Sequence, residues 1–408
     1  MPRVLVTDAS ERAALAVIRS LGRKGIEVTA GDSTRFNIGF FSKYCKQKIL
    51  YPPPELEKSK FVKAMLKLVR DESFDLLIPT TDIALIPIIE HKEDFERYTK
   101  VAAPNYLTAI KALDKVETLK IAQQHDIPFP KTEFGEDIED IHDFSKDITY
   151  PVVIRPRMKV KWIGEKALIL KVTPNNYSYD PQDFIMKWKR LNSILKKVGL
   201  QGDYLMVQEL VHGEGGGVEA LMHNGDPKAL FMHRRLREYP TTGGASTLRE
   251  SVKDNLLAQL GIKLLQAMEW EGVAMVEFKI NASTNEPELI EVNGRFWGSL
   301  PLAINSGVDF PYLLYESMVN KDSFNSPKYR VGLKQRWLAG DFLWLYSSLI
   351  NGYGITKSVK EFLRSSAVPD DIMALDDTAP VCGQLLFTLN LLSEVTTGHR
   401  SLTGEIIP

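Results

Sequence analysis

Over the first quarter of the chain, apolar positions switch repeatedly between strand-like and helical spacing. Arg3 to Thr7 is a short β-type run, and apolar residues then recur at helical spacing from Glu11 to Lys24. Gly25 ends this helix, and Ile26 to Ala30 forms the next β-type run. Further helices and strands are predicted at Phe61 to Arg70, Asp75 to Pro79, Ile83 to His91 and Val101 to Ala103. This order of elements predicts an open, doubly wound parallel sheet up to residue 110.

The pattern changes after this first domain. Apolar spacing predicts a helix from Tyr106 to His125, which the segment Asp126 to Pro130 ends. Apolar runs predict strands at Tyr150 to Pro156 and Tyr204 to Val211, on either side of a long helix from Gln182 to Val198. Strand-like runs dominate the following hundred residues, so an α+β region follows the α/β domain.

A hairpin is predicted near the end of this α+β region. Val276 to Ile280 and Leu289 to Arg295 both have the alternation of a half-buried strand. The segment between them, Asn281 to Glu286, is rich in residues that form turns. The two strands should therefore pair antiparallel.

One face of this hairpin collects oxygen ligands and a cation. Alternation places Glu277 and Lys279 on one face of the first strand. Glu291, Asn293 and Arg295 share a face of the second. Glu277, Glu291 and Asn293 are expected to converge as hard oxygen ligands for Mg²⁺, with Arg295 beside them as an anion clamp. The alternative is two solvated glutamates on an open face, but the matching parity of the polar residues favours a metal site.

The bulk composition is that of a soluble globular protein. The chain has 408 residues, 44% hydrophobic and 25% charged, which is enough for two or three domains. The net charge of −1 argues against the basic field typical of nucleic-acid binding. Cys45 and Cys382 lack metal-ligand spacing and indicate a reducing compartment. No signal pattern opens the chain, and the apolar stretch Phe342 to Ile350 is too short to span a membrane. We therefore expect a cytoplasmic protein that does not bind a membrane.

The first turn between strand and helix argues against a dinucleotide cofactor. It reads Thr7-Asp8-Ala9-Ser10 and contains no glycine. A pyrophosphate at this helix N-terminus would lack the residues that allow close backbone approach. We expect Ser10 to cap the helix instead, and the domain to have a structural or substrate-side role.

Basic residues follow the predicted strand at Tyr150 to Pro156. Arg155 lies at its end, and the loop Met158 to Gly164 carries Lys159 and Lys161. A positive charge at a strand end, followed by a basic loop, is typical of a phosphate lid. The alternative for Arg155 is a half-exposed edge residue whose stem covers apolar surface.

A strand followed by a glycine run provides a candidate nucleotide-base site. Val207 to Val211 leads into Gly213 to Gly217, which we interpret as a tight turn between two strands. Backbone groups that leave the strand register can pair with an adenine ring, and Glu209 or Glu214 can accept ribose hydroxyls. The alternative is a simple hairpin tip.

Three arginines precede a second glycine-rich segment. Arg234, Arg235 and Arg237 are followed by Thr241 to Ser246, which includes Gly243 and Gly244. Together they predict an anion pocket with a mobile backbone, the alternative being a solvated loop between strand and helix.

In this order, the segments resemble the ATP-grasp superfamily, and within it the carboxylate–amine ligases and proteins similar to carbamoyl-phosphate synthase. The likeness extends from residue 1 to residue 310. Its most specific part is Glu277-Phe278 followed by Glu291-Val292-Asn293-Gly294-Arg295, which resembles the family's glutamate on one strand and Glu-x-Asn-x-Arg on the next. The other similar segments are Asp114-Lys115, Ile127 to Pro130, Pro151 to Pro156, Gln208 to Val211, and Arg237 to Pro240 with Gly243-Gly244.

The resemblance implies an ATP-grasp fold of the α/β plus α+β class. An N-terminal Rossmann-like domain with a parallel sheet would precede two α+β subdomains that sandwich ATP. The implied domains are a pre-ATP-grasp domain at 1–110, a small or lid subdomain with a linker helix at 111–205, a catalytic subdomain with the Mg²⁺ site at 206–310, and a helical or mixed extension at 311–408.

The resemblance also implies roles for single residues. Phosphate contacts fall on Lys115, Arg155 and Lys161, with Lys161 replacing the backbone donors of the glycine-rich loop that many members have. The adenine hinge comprises Gln208, Glu209, Leu210 and Val211, and Glu214 takes the ribose. The metal ligands are Glu277, Glu291 and Asn293, and the catalytic residues are Arg295 and Arg235.

The implied reaction joins a carboxylate to an amine, or to a thiol. ATP with Mg²⁺, for which Mn²⁺ can substitute, would form an acyl phosphate, and the nucleophile would displace phosphate. The partners would be the small-molecule substrates, and a homodimer is the commonest assembly. Two alternatives stay open: a kinase-like or carboxylase-like enzyme with a non-amine acceptor, and a nucleotide-binding regulatory protein without turnover.

Overall fold

The N-terminal domain is the doubly wound parallel sheet that the sequence predicts. The computed structural model describes residues 2–200, 202–239, 244–321, 326–350 and 354–386. The sheet has the order β3-β2-β1-β4-β5, with every neighbouring pair parallel. Its strands are β1 (Arg3–Val6), β2 (Glu27–Asp32), β3 (Cys45–Leu50), β4 (Leu76–Ile78) and β5 (Lys100–Val101). Its helices are α1 (Arg12–Arg23), α2 (Lys58–Asp71), α3 (Asp82–Glu90) and α4 (Lys92–Glu96).

The first turn of this domain differs from expectation in one respect. Ser10 does not cap α1, because the N-cap is Glu11, which makes no side-chain cap bond. The backbone N–H and hydroxyl of Ser10 instead donate to Asp32 at 2.7 and 2.9 Å. Asp8 adopts a left-handed φ of 58° and is buried, and its desolvation raises its pKa to about 7.

Two helices, and not the predicted single helix, lead out of this domain. They are α5 (Tyr106–Leu113) and α6 (Lys115–Gln124). Asp114 separates them because its extended backbone ends α5 while its carboxylate accepts from the Val116 N–H as the N-cap of α6.

A small antiparallel sheet follows in the order β10-β7-β11-β6. Its strands are β6 (Thr132–Phe134), β7 (Val152–Pro156), β10 (Tyr177–Ser178) and β11 (Leu205–Glu209). Helices α7 (Ile141–Asp147) and α8 (Pro181–Lys197) contribute to the core on one face of this sheet. A hairpin of β8 (Val160–Ile163) and β9 (Lys166–Ile169) projects from it.

A larger antiparallel sheet has the order β16-β15-β12-β13-β14-β17. Its strands are β12 (Gly213–His223), β13 (Asp226–Tyr239), β14 (Ala245–Ser251), β15 (Gly272–Asn281), β16 (Pro287–Asn293) and β17 (Lys334–Arg336). The predicted hairpin is confirmed, since β15 and β16 pair antiparallel with Glu277 opposite Glu291. The change of sheet between β11 and β12 leaves a cleft between the two sheets.

Two predicted loops are strands in the structure. Gly213 to Gly217 is the first half of β12, paired with β15, and not a tight turn. The three arginines lie in β13, so they do not form one pocket. Arg234 is exposed and paired with Glu250, whereas Arg237 is buried and paired with Asp341. Thr241, Thr242 and Gly243 lie outside the described residues.

Both faces of the larger sheet are covered. Helix α9 (Asn255–Ala267) packs on one face, and α10 (Leu300–Ser306), α11 (Phe310–Tyr315) and α1 pack on the other. Helices α12 (Leu338–Ile350) and α13 (Ile355–Arg364) follow β17. In the described parts of the chain, no helix combines the length and apolar character needed to cross a bilayer.

Candidate functional site

The three predicted metal ligands meet at the end of the β15–β16 hairpin. Glu277 and Glu291 are directly opposite each other across the two strands. The Asn293 side-chain amide donates to Glu277 Oε1 at 2.8 Å and to Glu291 Oε1 at 3.3 Å. A β-bulge next to Glu277 shifts the register by one residue, which brings the two carboxylates into opposition.

A lysine from the β8 hairpin occupies this group of oxygens. Lys159 Nζ lies 2.6 Å from Glu291 Oε1 and 3.1 Å from Asn293 Oδ1. The ammonium therefore stands where a divalent cation would bridge the two residues. Lys161, which we predicted to contact phosphates, is not part of this network; its Nζ lies 5.9 Å from the centre of the Tyr204 ring.

Positive side chains determine the charge state of Glu291. Burial alone would favour a neutral carboxyl, but Lys159, Lys115 and Arg155 together hold the pKa of Glu291 well below its usual range. Arg155 comes from the small sheet, with Nη2 3.5 Å from Glu291 Oε2. Its Nη1 donates to Gln208 Oε1 at 2.6 Å. These contacts connect the small sheet to the β15–β16 hairpin across the cleft.

Lys115 lies at the back of the same cleft. It is buried at the start of α6 and lines a cavity of about 20 Å³ together with Asp82, Lys159, Glu291 and Asn293. Desolvation lowers the pKa of Lys115 to about 7, and the charges of Arg155 and Lys159 act in the same direction. An anionic group in the cavity would restore its charge, as expected for a phosphate contact.

Arg235 approaches Glu277 from the other side. Its Nη2 lies 2.5 Å from Glu277 Oε2, and its Nη1 lies 3.3 Å from Glu238. Burial opposes its charge, but the two glutamates raise the pKa of Arg235 well above its ordinary value. The side chain passes over Gly215, where a Cβ would come within 2.9 Å of Arg235 Cδ. Glycine is therefore needed here for space.

Arg295, the predicted anion clamp, pairs with the N-terminal domain. Its Nε lies 2.9 Å from Asp82 Oδ1 at the start of α3. Burial opposes the charge on Arg295, and Asp82 more than compensates, so the pKa of Arg295 is raised. This ion pair brings the carboxyl end of β4 to the end of the β15–β16 hairpin.

The predicted adenine hinge is the connection between the two sheets. Gln208 is buried, and its amide donates to Thr132 at 2.9 Å. The Glu209 N–H donates to Lys131 and the Leu210 N–H to Pro151, after which the chain crosses through Val211 to the larger sheet. Glu214, predicted to take the ribose, is exposed at the start of β12, 3.8 Å from Arg234.

The donor set fits a hard divalent cation. In the described part of the chain, no cluster of three or more His, Cys, Asp or Glu side chains is placed to hold a metal. Two carboxylates with one amide oxygen nevertheless suit Mg²⁺, which keeps several water or phosphate ligands. The Lys159 ammonium already bridges two of these three side chains as a cation.

Three contributors were absent from the predicted site: Lys159, Asp82 and Glu238. Lys159 was recognised as part of the basic loop, but the phosphate contact was predicted for Lys161. Choosing correctly between the two lysines requires the path of the hairpin. Asp82 follows β4 at the carboxyl end of the parallel sheet, which is the usual ligand-binding edge and could have indicated it. Glu238 lies in the family-like segment Arg237 to Pro240, but no role was predicted for it.

The cleft between the two antiparallel sheets has the acidic side chains of the β15–β16 hairpin on one side and the basic side chains Arg155 and Lys159 on the other. Residues 201–340 match the family model ATPgrasp_Ter, described as "ATP-grasp in the biosynthetic pathway with Ter operon". This match covers residues 201–340 of the 408 and agrees with the ATP-grasp resemblance predicted from the sequence.

A curated relative supports this assignment. The N-terminal section of the carbamoyl phosphate synthase large chain of Methanopyrus kandleri is 23% identical over 255 residues. The match covers 59% of this chain and 42% of the relative, so the chain corresponds to less than half the length of that protein.

Solved structures share the fold. The L-amino acid ligase from Bacillus licheniformis is 15% identical with a TM-score of 0.57, covering 81% of this chain and 75% of the ligase. A biotin carboxylase–beta-gamma-ATP complex from Campylobacter jejuni is 14% identical with a TM-score of 0.61, covering 81% and 74%. At these identities the likeness establishes the ATP-grasp fold.

Proposed function

We propose that the protein is an enzyme that uses ATP to join a small-molecule carboxylate to an amine. The observation that carries this proposal is that Glu277, Glu291 and Asn293 lie side by side at the end of the hairpin, with Lys115 and Arg155 near Glu291. The names of the relative and of the structural neighbours, which include a synthase and a ligase, favour the same class of reaction.

Glu277, Glu291 and Asn293 would hold Mg²⁺, which neutralises phosphate charge when bound. Lys115, Arg155 and Lys159 would orient the phosphates and offset their negative charge. The Gln208 to Val211 connection would hold the adenine ring, and Glu209 or Glu214 the ribose. Arg295 and Arg235 would steady the acyl phosphate, because both guanidinium groups lie beside the carboxylates of the hairpin.

The proposed chemistry has two steps. A carboxylate oxygen attacks the γ-phosphorus of ATP, the bond from that phosphorus to the bridging oxygen breaks, and ADP leaves. An amine then attacks the acyl carbon, and phosphate departs as the amide forms. Positioning and charge stabilisation supply most of the acceleration, so no protein nucleophile is needed.

The experiment that tests this function measures ADP and phosphate release against a panel of carboxylates and amines. We expect release that requires one carboxylate and one amine, with an amide as product. A phosphorylated acceptor would favour a kinase-like reaction instead. Tight ATP binding without release, across the whole panel, would contradict the proposal and favour a regulatory nucleotide-binding protein.

A further inference from the structure

A buried histidine–glutamate pair lies on the same face of the larger sheet as Glu277. His233 Nδ1 is 2.5 Å from Glu219 Oε1, and the two side chains are 1% and 0% exposed. Glu219 Oε2 and His233 Nε2 are buried and have no hydrogen-bond partner among the described residues. Buried polar atoms in native proteins nearly always have a partner. Two unpaired atoms in one buried pair therefore indicate a polar partner that the described residues do not supply.

Cross-strand register places this pair next to the β15–β16 hairpin. Gly217 lies opposite Glu277 on one side and opposite His233 on the other. Adjacent strands are about 4.8 Å apart, so the backbones of His233 and Glu277 are about 10 Å apart. His233 and Glu277 therefore lie on the same face of the sheet with one strand between them.

Gly217 creates the space that the imidazole occupies. A Cβ on residue 217 would lie 2.5 Å from His233 Cε1 and 3.3 Å from Glu219 Oε1. The imidazole ring therefore lies over β12, the strand between β13, which carries His233, and β15, which carries Glu277. A histidine needed only to fill the core would be satisfied by apolar contacts and a paired nitrogen, whereas here the distal nitrogen has no partner in the described chain.

The next row of the sheet carries another incompletely paired group. Arg249 lies opposite Arg235 and is fully buried. One of its Nη atoms pairs with Asp371, while Nε and Nη1 have no partner among the described residues. Glu219, His233 and Arg249 thus have unpaired polar atoms in neighbouring cross-strand positions of the sheet. These atoms support a polar substrate on this face, beyond the proposed cation position.

We propose that His233, oriented by Glu219, accepts a proton from the incoming amine. This inference rests on the proposed ligase function and assigns a residue to its second step. Glu219 holds the proton of Nδ1, so Nε2 presents its lone pair to the substrate ammonium.

The incoming ammonium loses two protons as the amide forms. The ammonium nitrogen gives one proton to His233 Nε2 and becomes a neutral amine. Its lone pair forms the bond to the acyl carbon while the bond from carbon to the phosphate oxygen breaks. The departing phosphate carries away that electron pair and takes the second nitrogen proton. His233 releases its proton to solvent before the next turnover.

The test compares two nucleophiles in the variant His233→Gln. An ordinary amine arrives as an ammonium and needs a base, whereas hydroxylamine is largely neutral near neutral pH and does not. We expect amide formation to fall by about 10²- to 10⁴-fold, with hydroxamate formation from the acyl phosphate little changed. His223→Gln is the matched control, because His223 ends the neighbouring strand β12 and is half-exposed beside Glu271.

A second variant tests the same residue without removing the ring. Glu219→Gln should lower amide formation and leave hydroxamate formation intact, which keeps the test valid if His233→Gln does not fold. Equal loss of both products in folded variants, or no loss of amide in either, would overturn the role of His233. Absence of both products from the wild-type enzyme would instead overturn the proposed function itself.

Discussion

At the scale of single residues, the candidate site is a group of buried acidic side chains surrounded by lysine and arginine. Glu291 is buried beside Lys159, Arg155 and Lys115, and these charges offset the cost of its burial. The Lys159 ammonium contacts two of the proposed metal ligands. Divalent cation and Lys159 should therefore compete for the same oxygens when no nucleotide is present.

The variant Lys159→Met tests this competition. It should raise the affinity for Mn²⁺ in the absence of nucleotide by about tenfold, because each 1.4 kcal/mol of lost competition is one decade. Nucleotide turnover should fall, since a phosphate contact is lost. Mn²⁺ titration followed by electron paramagnetic resonance measures the affinity. Lys161→Met is the control and should leave Mn²⁺ affinity unchanged; weaker Mn²⁺ binding in Lys159→Met would contradict the competition.

Asp8 provides a pH-dependent prediction. Burial raises its pKa to about 7, so the folded protein keeps a proton that the unfolded chain loses near pH 4. This group therefore contributes most to stability at low pH, and that contribution is lost as pH rises to 7. Asp8→Asn should gain stability relative to wild type over this range, by at most roughly 1.4 kcal/mol per pH unit.

Urea unfolding at pH 5 and pH 8 measures the effect of Asp8→Asn. Asparagine tolerates the left-handed backbone at this position. Asp126→Asn is the matched control, because Asp126 has a similar φ of 50° but is exposed. A constant difference between Asp8→Asn and wild type at the two pH values would contradict the shifted pKa.

The reach of sequence reasoning is clear at this scale. Alternation identified Glu277, Glu291 and Asn293 as neighbours because both strands carry their polar residues with a period of two. The alternation could not distinguish Lys159 from Lys161, because residues two apart in a strand point to the same face. The two lysines differ only in their distance from the hairpin tip. Asp82 lies more than 200 residues from Arg295, and only the tertiary fold brings them together.

At the scale of elements, the β8–β9 hairpin bridges the cleft. Its tip contacts the N-terminal domain, where Glu165 accepts from the Ser59 N–H at 2.8 Å and from its hydroxyl at 2.5 Å. The Ala167 N–H donates to the Glu55 carbonyl at 2.8 Å. Lys159, just before β8, is thereby held over the carboxylates.

Removing the contact at the tip should loosen this hairpin. Glu165→Ala should speed amide hydrogen exchange in β8 and β9, with little effect on global unfolding because the contact is exposed. Hydrogen exchange followed by mass spectrometry measures the change, with exposed Glu139→Ala as the control. Unchanged exchange in the hairpin would show that the Ser59 contact does not hold it.

The glycine run of β12 shows why an element can be misread from sequence. Five residues with four glycines are typical of a turn, and the chain places them in a strand between two others. Gly215 and Gly217 lie beneath Arg235 and His233, whose side chains fill the missing Cβ positions. The parallel N-terminal sheet was easier to predict, because its order of elements is local in sequence.

At the scale of the whole molecule, Asp371 joins three parts of the chain. Its Oδ2 lies 2.6 Å from Arg12 of α1, and its Oδ1 pairs with Arg249 of β14. Asp371 itself follows the C-terminal helices α12 and α13. A buried carboxylate between two guanidinium groups ties these parts together.

Asp371→Ala should therefore destabilise the protein by about 3–5 kcal/mol, because it leaves the buried Arg249 without its partner. Asp376→Ala is the matched control; Asp376 pairs with Arg23 but is 43% exposed, and its loss should cost at most about 1 kcal/mol. Urea unfolding measures both. Equal effects of the two substitutions would contradict a structural role for the buried pair.

The central claim is that Glu277, Glu291 and Asn293 hold a divalent cation that links the protein to a nucleotide triphosphate. Calorimetric titration of ATP, with and without Mg²⁺, tests it most directly in wild type, Glu291→Gln and the same-strand control Glu288→Gln. We predict that Mg²⁺ strengthens ATP binding in wild type and in Glu288→Gln, and that Glu291→Gln loses this enhancement. Full Mg²⁺ enhancement in a folded Glu291→Gln protein would contradict the account.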